Sequence, residues 1–139
     1  MDNNDLNEGK SFLSFSLTLA VRGDNLDLDS VSSTLGISPS SVYKSSGAKD
    51  TEKQDAWYYK VKAKDIHEFS TISKLFFQSI NKASDKLSFS DDITLRIILH
   101  IHSDIAQVYF DLPEDFLNDL SQCNIPFGIS ILDWGLVEN

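Results

Sequence analysis

Cysteine is almost missing from this chain: Cys123 stands alone among 139 residues. One thiol excludes an intramolecular disulfide and a zinc site built on cysteines. At the end of an apolar helical stretch it reads as a buried structural thiol. Glycine is sparse, and Gly23, Gly36 and Gly47 lie too far apart for a phosphate-cradling loop. No Gly-x-Ser-x-Gly nucleophile elbow occurs, although serine is abundant. No apolar run approaches the roughly 18 residues that a membrane span needs. Basic residues are few, 12 against 21 acidic, for a net charge of −9 and a pI of about 4.6. Such a balance lacks the basic footprint of a nucleic-acid binder and repels anionic membranes. It favours basic proteins and cations as partners. The opening Met-Asp-Asn-Asn-Asp is acidic and polar, whereas an export signal starts basic and continues apolar. The expected compartment is the cytoplasm.

What is present is ordinary globular material, with 41% apolar, 11% aromatic and 24% charged residues. Residues 1–10 read as a flexible tail and residues 11–139 as one domain. A chain of this size buries roughly two thirds of its unfolded surface, enough for a core without staples. Charge is uneven along it: residues 1–30 carry −4, residues 31–86 carry +3 and residues 87–139 carry −8.

Phe15, Leu17, Leu19 and Val21 alternate with Ser14, Ser16, Thr18 and Ala20, the pattern of a half-buried strand. Gly23-Asp24-Asn25 turns the chain, and Asp27 or Asp29 caps a short helix with Val31 and Leu35 inward. Gly36 stops that helix, and Pro39 prevents its continuation. Residues 38–55 have loop composition. Trp57, Tyr59 and Val61 mark a second strand. Asp65 caps a long helix over roughly residues 66–82, with Ile66, Phe69, Ile72, Leu75, Phe76 and Ile80 as its stripe. Residues 93–102 form a strand, 105–110 its hairpin partner and 125–132 the last strand. Between them Pro113 opens a helix whose buried side is Phe116, Leu117 and Leu120. The expected class is α+β: a mainly antiparallel sheet of about five strands in β-α-β-α-β-β-α-β order, helices mostly on one face. Asp29 to Ile37 and Asp115 to Ile125 echo each other weakly, which suggests two related β-α-β halves.

Chemistry-bearing residues are few. His100 and His102 share one strand face, and Asp104 stands at its end. Two imidazoles and a carboxylate are zinc ligands by type, but the better core face is that of Leu99 and Ile101, which leaves the histidines on the outer surface. No metal and no cofactor is expected. His67 reads as a surface residue. Asp91-Asp92 and Glu114-Asp115 are neighbouring acids of the kind that stay solvated, not a catalytic pair around a cleft. Asp24, Asp27 and Asp29 lack the glycine and the terminal glutamate of a calcium loop. Trp57-Tyr58-Tyr59 interleaves with lysines as a base-stacking surface does, though strands favour aromatics on their own account.

The order of several motifs is more telling than any one of them. Gly23-Asp24-Asn25-Leu26-Asp27 follows the first strand, and Leu35-Gly36-Ile37-Ser38-Pro39 ends the short helix. Lys44 and Gly47, two serines apart, precede Trp57. Leu112-Pro113-Glu114-Asp115-Phe116 and Ile125-Pro126-Phe127-Gly128-Ile129 close the chain. Over roughly residues 12–132 this resembles the uncharacterised bacterial family known as domain of unknown function 4279. The resemblance implies a cytoplasmic α+β domain and brings no catalytic residues. Small acidic bacterial proteins of this kind often serve as immunity proteins. The expected function is therefore non-enzymatic: neutralisation of a basic toxin through acids at Asp91, Asp92, Asp104, Asp111, Glu114, Asp115 and Asp119. A stand-alone interaction or regulatory domain is the alternative, and a metal-binding protein or enzyme the third possibility.

Overall fold

A computed structural model describes residues 13–45, 54–82, 92–103 and 110–133. Its elements are β1 (Leu13–Gly23), α1 (Leu28–Leu35), β2 (Ser41–Tyr43), β3 (Asp55–Ala63), α2 (Ile66–Lys82), β4 (Thr94–Ser103), α3 (Glu114–Ser121) and β5 (Phe127–Asp133). The strands form one sheet in the order β2-β3-β1-β4-β5. Every pairing is antiparallel except β4 with β5, which is parallel. The expected α+β class, with five strands and helices on one face, is what the chain adopts.

The alternation along β1 sends Phe15, Leu17, Leu19 and Val21 toward the helices, where all four are buried. Across the ladders they meet Ala63, Val61, Tyr59 and Trp57 of β3 and Ile101, Leu99, Ile97 and Leu95 of β4. The helices cover this face with Val31 and Leu35 of α1, Phe69, Phe76, Phe77 and Ile80 of α2 and Phe116 of α3. Rings fill the middle: Phe69 and Phe77 pack on Phe116, and Tyr59 stacks on Phe76 at 5.7 Å.

Four local expectations need correction. The strand read as half-buried is buried on both faces, since Ser16, Thr18 and Ala20 are covered too. Their side chains are short and lie between longer neighbours on β3 and β4. In α2, Leu75 is 53% exposed and Phe77 takes its place, because Phe69, Phe76, Phe77 and Ile80 share one face. In α3, Leu117 is 49% exposed, since a two-turn helix turns only Phe116 and Leu120 inward. Ser41–Tyr43, inside the stretch read as loop, pairs with β3 as an edge strand. All three residues are exposed, so no burial pattern announces it. The expected hairpin strand 105–110 lies outside the described residues apart from Phe110, whose ring packs edge-on to Phe15 at 5.1 Å. The tail 1–10 lies outside them as well. The two β-α-β units are not equivalent: β5 lies beside β4, whereas β3 separates β2 from β1.

Phe76 is fully buried and touches two rings. Phe76→Ala is expected to cost about 3–5 kcal/mol. Urea unfolding followed by tryptophan fluorescence would show it as a lowered midpoint, and an unchanged midpoint would contradict the packing described.

Candidate functional site

The best-ordered polar group of the molecule surrounds Asp55, at the start of β3. Its carboxylate is 3% exposed. It accepts hydrogen bonds from the Leu26 N–H at 2.8 Å, the Ser45 N–H at 2.7 Å and the Lys44 ammonium at 2.9 Å. Lys44 Nζ also donates to the Leu26 carbonyl at 3.0 Å. The Ser45 N–H and the Lys44 side chain hold the Asp55 pKa below the usual carboxylate range, and the Leu26 N–H acts in the same direction. Burial opposes the shift and is outweighed. These hydrogen bonds hold three chain segments together, so the cluster acts as a clamp.

The acids singled out from sequence fall into two regions. Asp111, Glu114 and Asp115 are exposed at the entry to α3, and Asp119 is half-buried in its last turn. Glu114 and Asp115 sit at the positive end of the helix dipole, where carboxylates are favoured. Asp115 pairs with Lys74 of α2 at 3.0 Å, both side chains more than half exposed, so this bridge is worth little. Exposed Leu117 stands on the same helix, and Ile129 and Ile131 are exposed on β5. Asp92 is exposed just before β4, at the opposite end of that strand from the entry to α3. The middle of α3, at Phe116, packs on Phe127, which pairs with Ile97 inside β4. Asp91 and Asp104 lie outside the described residues.

His100 and His102 do share a face of β4, with ring centroids 6.5 Å apart. That face is the one opposite the helices, as the alternation implied. Burial holds the His100 pKa below the ordinary histidine value, and the charges of Lys60 and His102 add to the effect. Among the described residues no group of three or more His, Cys, Asp or Glu side chains comes together to hold a metal ion. Cys123 is buried behind α3, its Sγ 3.4 Å from the Asp119 carbonyl. Burial raises its pKa, with a smaller push from Asp119, so the thiol stays protonated and unreactive at neutral pH. His67 is exposed. No described helix is long and apolar enough to cross a membrane.

A family model described as Domain of unknown function (DUF4279) matches residues 13–134. The chain belongs to this family. No curated protein and no solved structure matches it.

The motifs that carry the resemblance to the DUF4279 family have structural roles in the described fold. A Cβ on Gly23 would stand 3.2 Å from Ile93 Cγ1 and 3.3 Å from the Asp92 carbonyl, so a larger residue there would require these neighbours to shift. Asn25 has φ +52°, a left-handed conformation that asparagine tolerates. Leu26 is buried, and its backbone feeds both Asp55 and Lys44. Asp27 caps α1 by accepting from the Ser30 N–H, and Gly36 ends it at φ +69°. Trp57 is fully buried, and its indole N–H donates to Ser32 Oγ at 2.9 Å. In this chain the N-terminal motifs of the resemblance build one corner of the fold. Sequence reasoning noted Lys44 but missed Asp55, which no local pattern marks.

Asp55→Asn should lower the thermal midpoint at pH 7. The folded pKa is depressed, so the carboxylate stabilises the fold above the ordinary carboxylate range and loses that contribution as pH falls through the lowered value. The gap between wild type and variant should therefore narrow toward pH 2–3, within about a unit or two of the carboxylate reference pKa. Calorimetry at both ends of that range checks it, and a constant gap would contradict it.

Proposed function

We propose that this member of the DUF4279 family is a non-enzymatic cytoplasmic binding domain of the immunity type, which neutralises a basic toxin through the acidic surface around α3. The observation that carries the proposal is that exposed Asp111 precedes α3, exposed Glu114 and Asp115 form its first turn, and exposed Leu117 follows on the same short helix. An apolar anchor inside a charged rim is the usual anatomy of a protein-binding patch. The net charge of −8 over residues 87–139 supports the same reading. It would steer a basic partner toward this end of the molecule, and steering acts mainly on the association rate. Asp119, half-buried, contributes field more than contact. Asp92, at the far end of β4, would reach the partner only if the footprint spans the sheet. Asp91 and Asp104 remain part of the proposed acidic set.

The test begins with a partner captured by tagged protein from the native host and then purified. Its association with the chain is expected to slow steeply between about 0.05 and 0.5 M salt, as the Debye length falls from above 10 Å to about 4 Å. Reversal of Asp111, Glu114 and Asp115 to lysine should weaken binding, measured by surface plasmon resonance, while the domain stays folded, with only a modest fall in the thermal midpoint from the lost helix-dipole and Lys74 interactions. Reversal of Asp2, Asp5 and Glu8 is the control for net charge alone. Equal losses from both sets would remove α3 from the mechanism. A binding partner without toxic activity would favour the alternative, a regulatory interaction domain.

A further inference from the structure

The sheet face opposite the helices has a shape that follows from its residue sizes. Along the middle run the short side chains Ser14, Ser16, Thr18 and Ala20 of β1. They are flanked by Tyr58, Lys60 and Lys62 on β3 and by Ile98, His100 and His102 on β4. A row of short side chains between two rows of long ones makes a trough. It opens into two adjoining concavities of about 510 and 570 Å³, which share Lys60 and Lys62 as a common wall. Ser16 lines the first and Thr18 the second.

Those two residues carry the argument. Ser16 is 3% exposed and Thr18 4%, and among the described residues neither hydroxyl oxygen has a hydrogen-bond partner. Buried polar groups are nearly always satisfied, so two adjacent orphans on the floor of one trough call for a ligand that supplies what the protein does not. The charge around them says which kind. Among the described residues of the strands, this face presents Arg22, Lys60, Lys62 and Arg96 and no carboxylate. Glu68 enters the first concavity from α2, where its Oε1 already accepts the Lys64 N–H at 2.8 Å. A chain with a net charge of −9 thus gathers cations over two unpaired hydroxyls.

We propose that this trough binds a small phosphorylated or sulfated molecule. Its tetrahedral anion sits between Lys60 and Lys62 over the Ser16 and Thr18 hydroxyls, with His100 as a further donor. The second concavity, lined by Tyr58 and Ile98, receives the organic part. A tetrahedral oxyanion has enough acceptor oxygens to take hydrogen bonds from the floor and both walls at once. A long nucleic-acid strand fits less well, because its many phosphates would meet the acidic remainder of the chain. His100 faces Ser16 on β1, Ser130 on β5 and the two lysines on β3, with His102 beside it on β4. Burial and the neighbouring positive charge disfavour its protonation, and a bound anion offsets both. Binding should therefore tighten as pH falls through the histidine range. This site lies on the opposite side of the sheet from α3, and neither proposal depends on the other.

Nuclear magnetic resonance titration of the full chain with sulfate, at constant ionic strength, is the first experiment. Sulfate keeps its charge across the histidine range, so pH reports on the protein. Saturable shifts centred on Ser16, Thr18 and the His100 ring are expected. Lys60→Gln with Lys62→Gln should weaken binding about tenfold or more, as loss of charge-assisted hydrogen bonds does. Ser16→Ala with Thr18→Val should weaken it too, while the thermal midpoint of the ligand-free protein holds or rises. A purely structural role for those hydroxyls would lower that midpoint instead. Phenyl phosphate should bind more tightly than inorganic phosphate. Non-saturating shifts spread over all surface lysines, or lysine variants that bind as wild type does, would overturn the proposal. Affinity that grows steadily with oligothymidine length would overturn it in favour of a strand-binding surface.

Discussion

Everything in this fold is hung on β1. It is the central strand of five, hydrogen-bonded along both edges, and from Phe15 to Val21 no residue of it is exposed. A strand in that position must satisfy two demands at once. Toward the helices it needs large apolar side chains to fill the layer between sheet and helix. On the other side no described helix lies over it, and its side chains must be short enough for those of β3 and β4 to cover them. Phenylalanine, leucine and valine meet the first demand, and serine, threonine and alanine meet the second. The same alternation that builds the core therefore also carves the trough, and the long neighbours that flank it are lysines and histidines.

The second organising element is the clamp at Asp55. Three segments distant in sequence meet there: the turn after β1, the chain leaving β2 and the start of β3. Water is nearly excluded from the carboxylate, so its hydrogen bonds are stronger than they would be on the surface. Fixing the turn after β1 also fixes where α1 begins, since Asp27, the residue next to Leu26, caps that helix. The position of α1 then places Ser32 under the Trp57 indole. The motifs from Gly23 to Trp57 that carry the resemblance to the DUF4279 family thus describe an architectural corner, and what they show is structural.

Charge is segregated between the two sides of the molecule. Acids gather around α3 and its approach, while cations gather on the strand face away from the helices. The separation follows from chain order: β3, with its lysines, belongs to the positive middle of the sequence, and α3 to the strongly negative end. One small domain therefore carries acids around α3 and cations on the strand face away from the helices.

The sequence by itself determined what depends on local periodicity and local hydrogen bonding. The alternation of β1, the stripe of α2 around Phe69 and Phe76, the Asp27 and Asp65 caps, the Gly36 stop and the shared face of His100 and His102 were all legible, because each is set by residues within one or two turns of one another. Glu114 and Asp115 of α3 were legible as exposed for the same reason, whereas Asp119, read as solvated, is half-buried. Tertiary structure alone decided the rest. β2 is three exposed residues that pair only because Trp57 and Tyr58 lie alongside, and three residues carry no period. The parallel pairing of β5 with β4 depends on a crossover through α3. Asp55 gains its partners from segments 10 to 29 residues away. That Asp92 stands before β4 and away from the entry to α3 is a matter of tertiary placement, which no spacing rule measures. The two orphan hydroxyls looked like the solvated side of a strand. Burial of a short side chain is a property of its neighbours across the ladder, and the ladder exists only once the chain has folded.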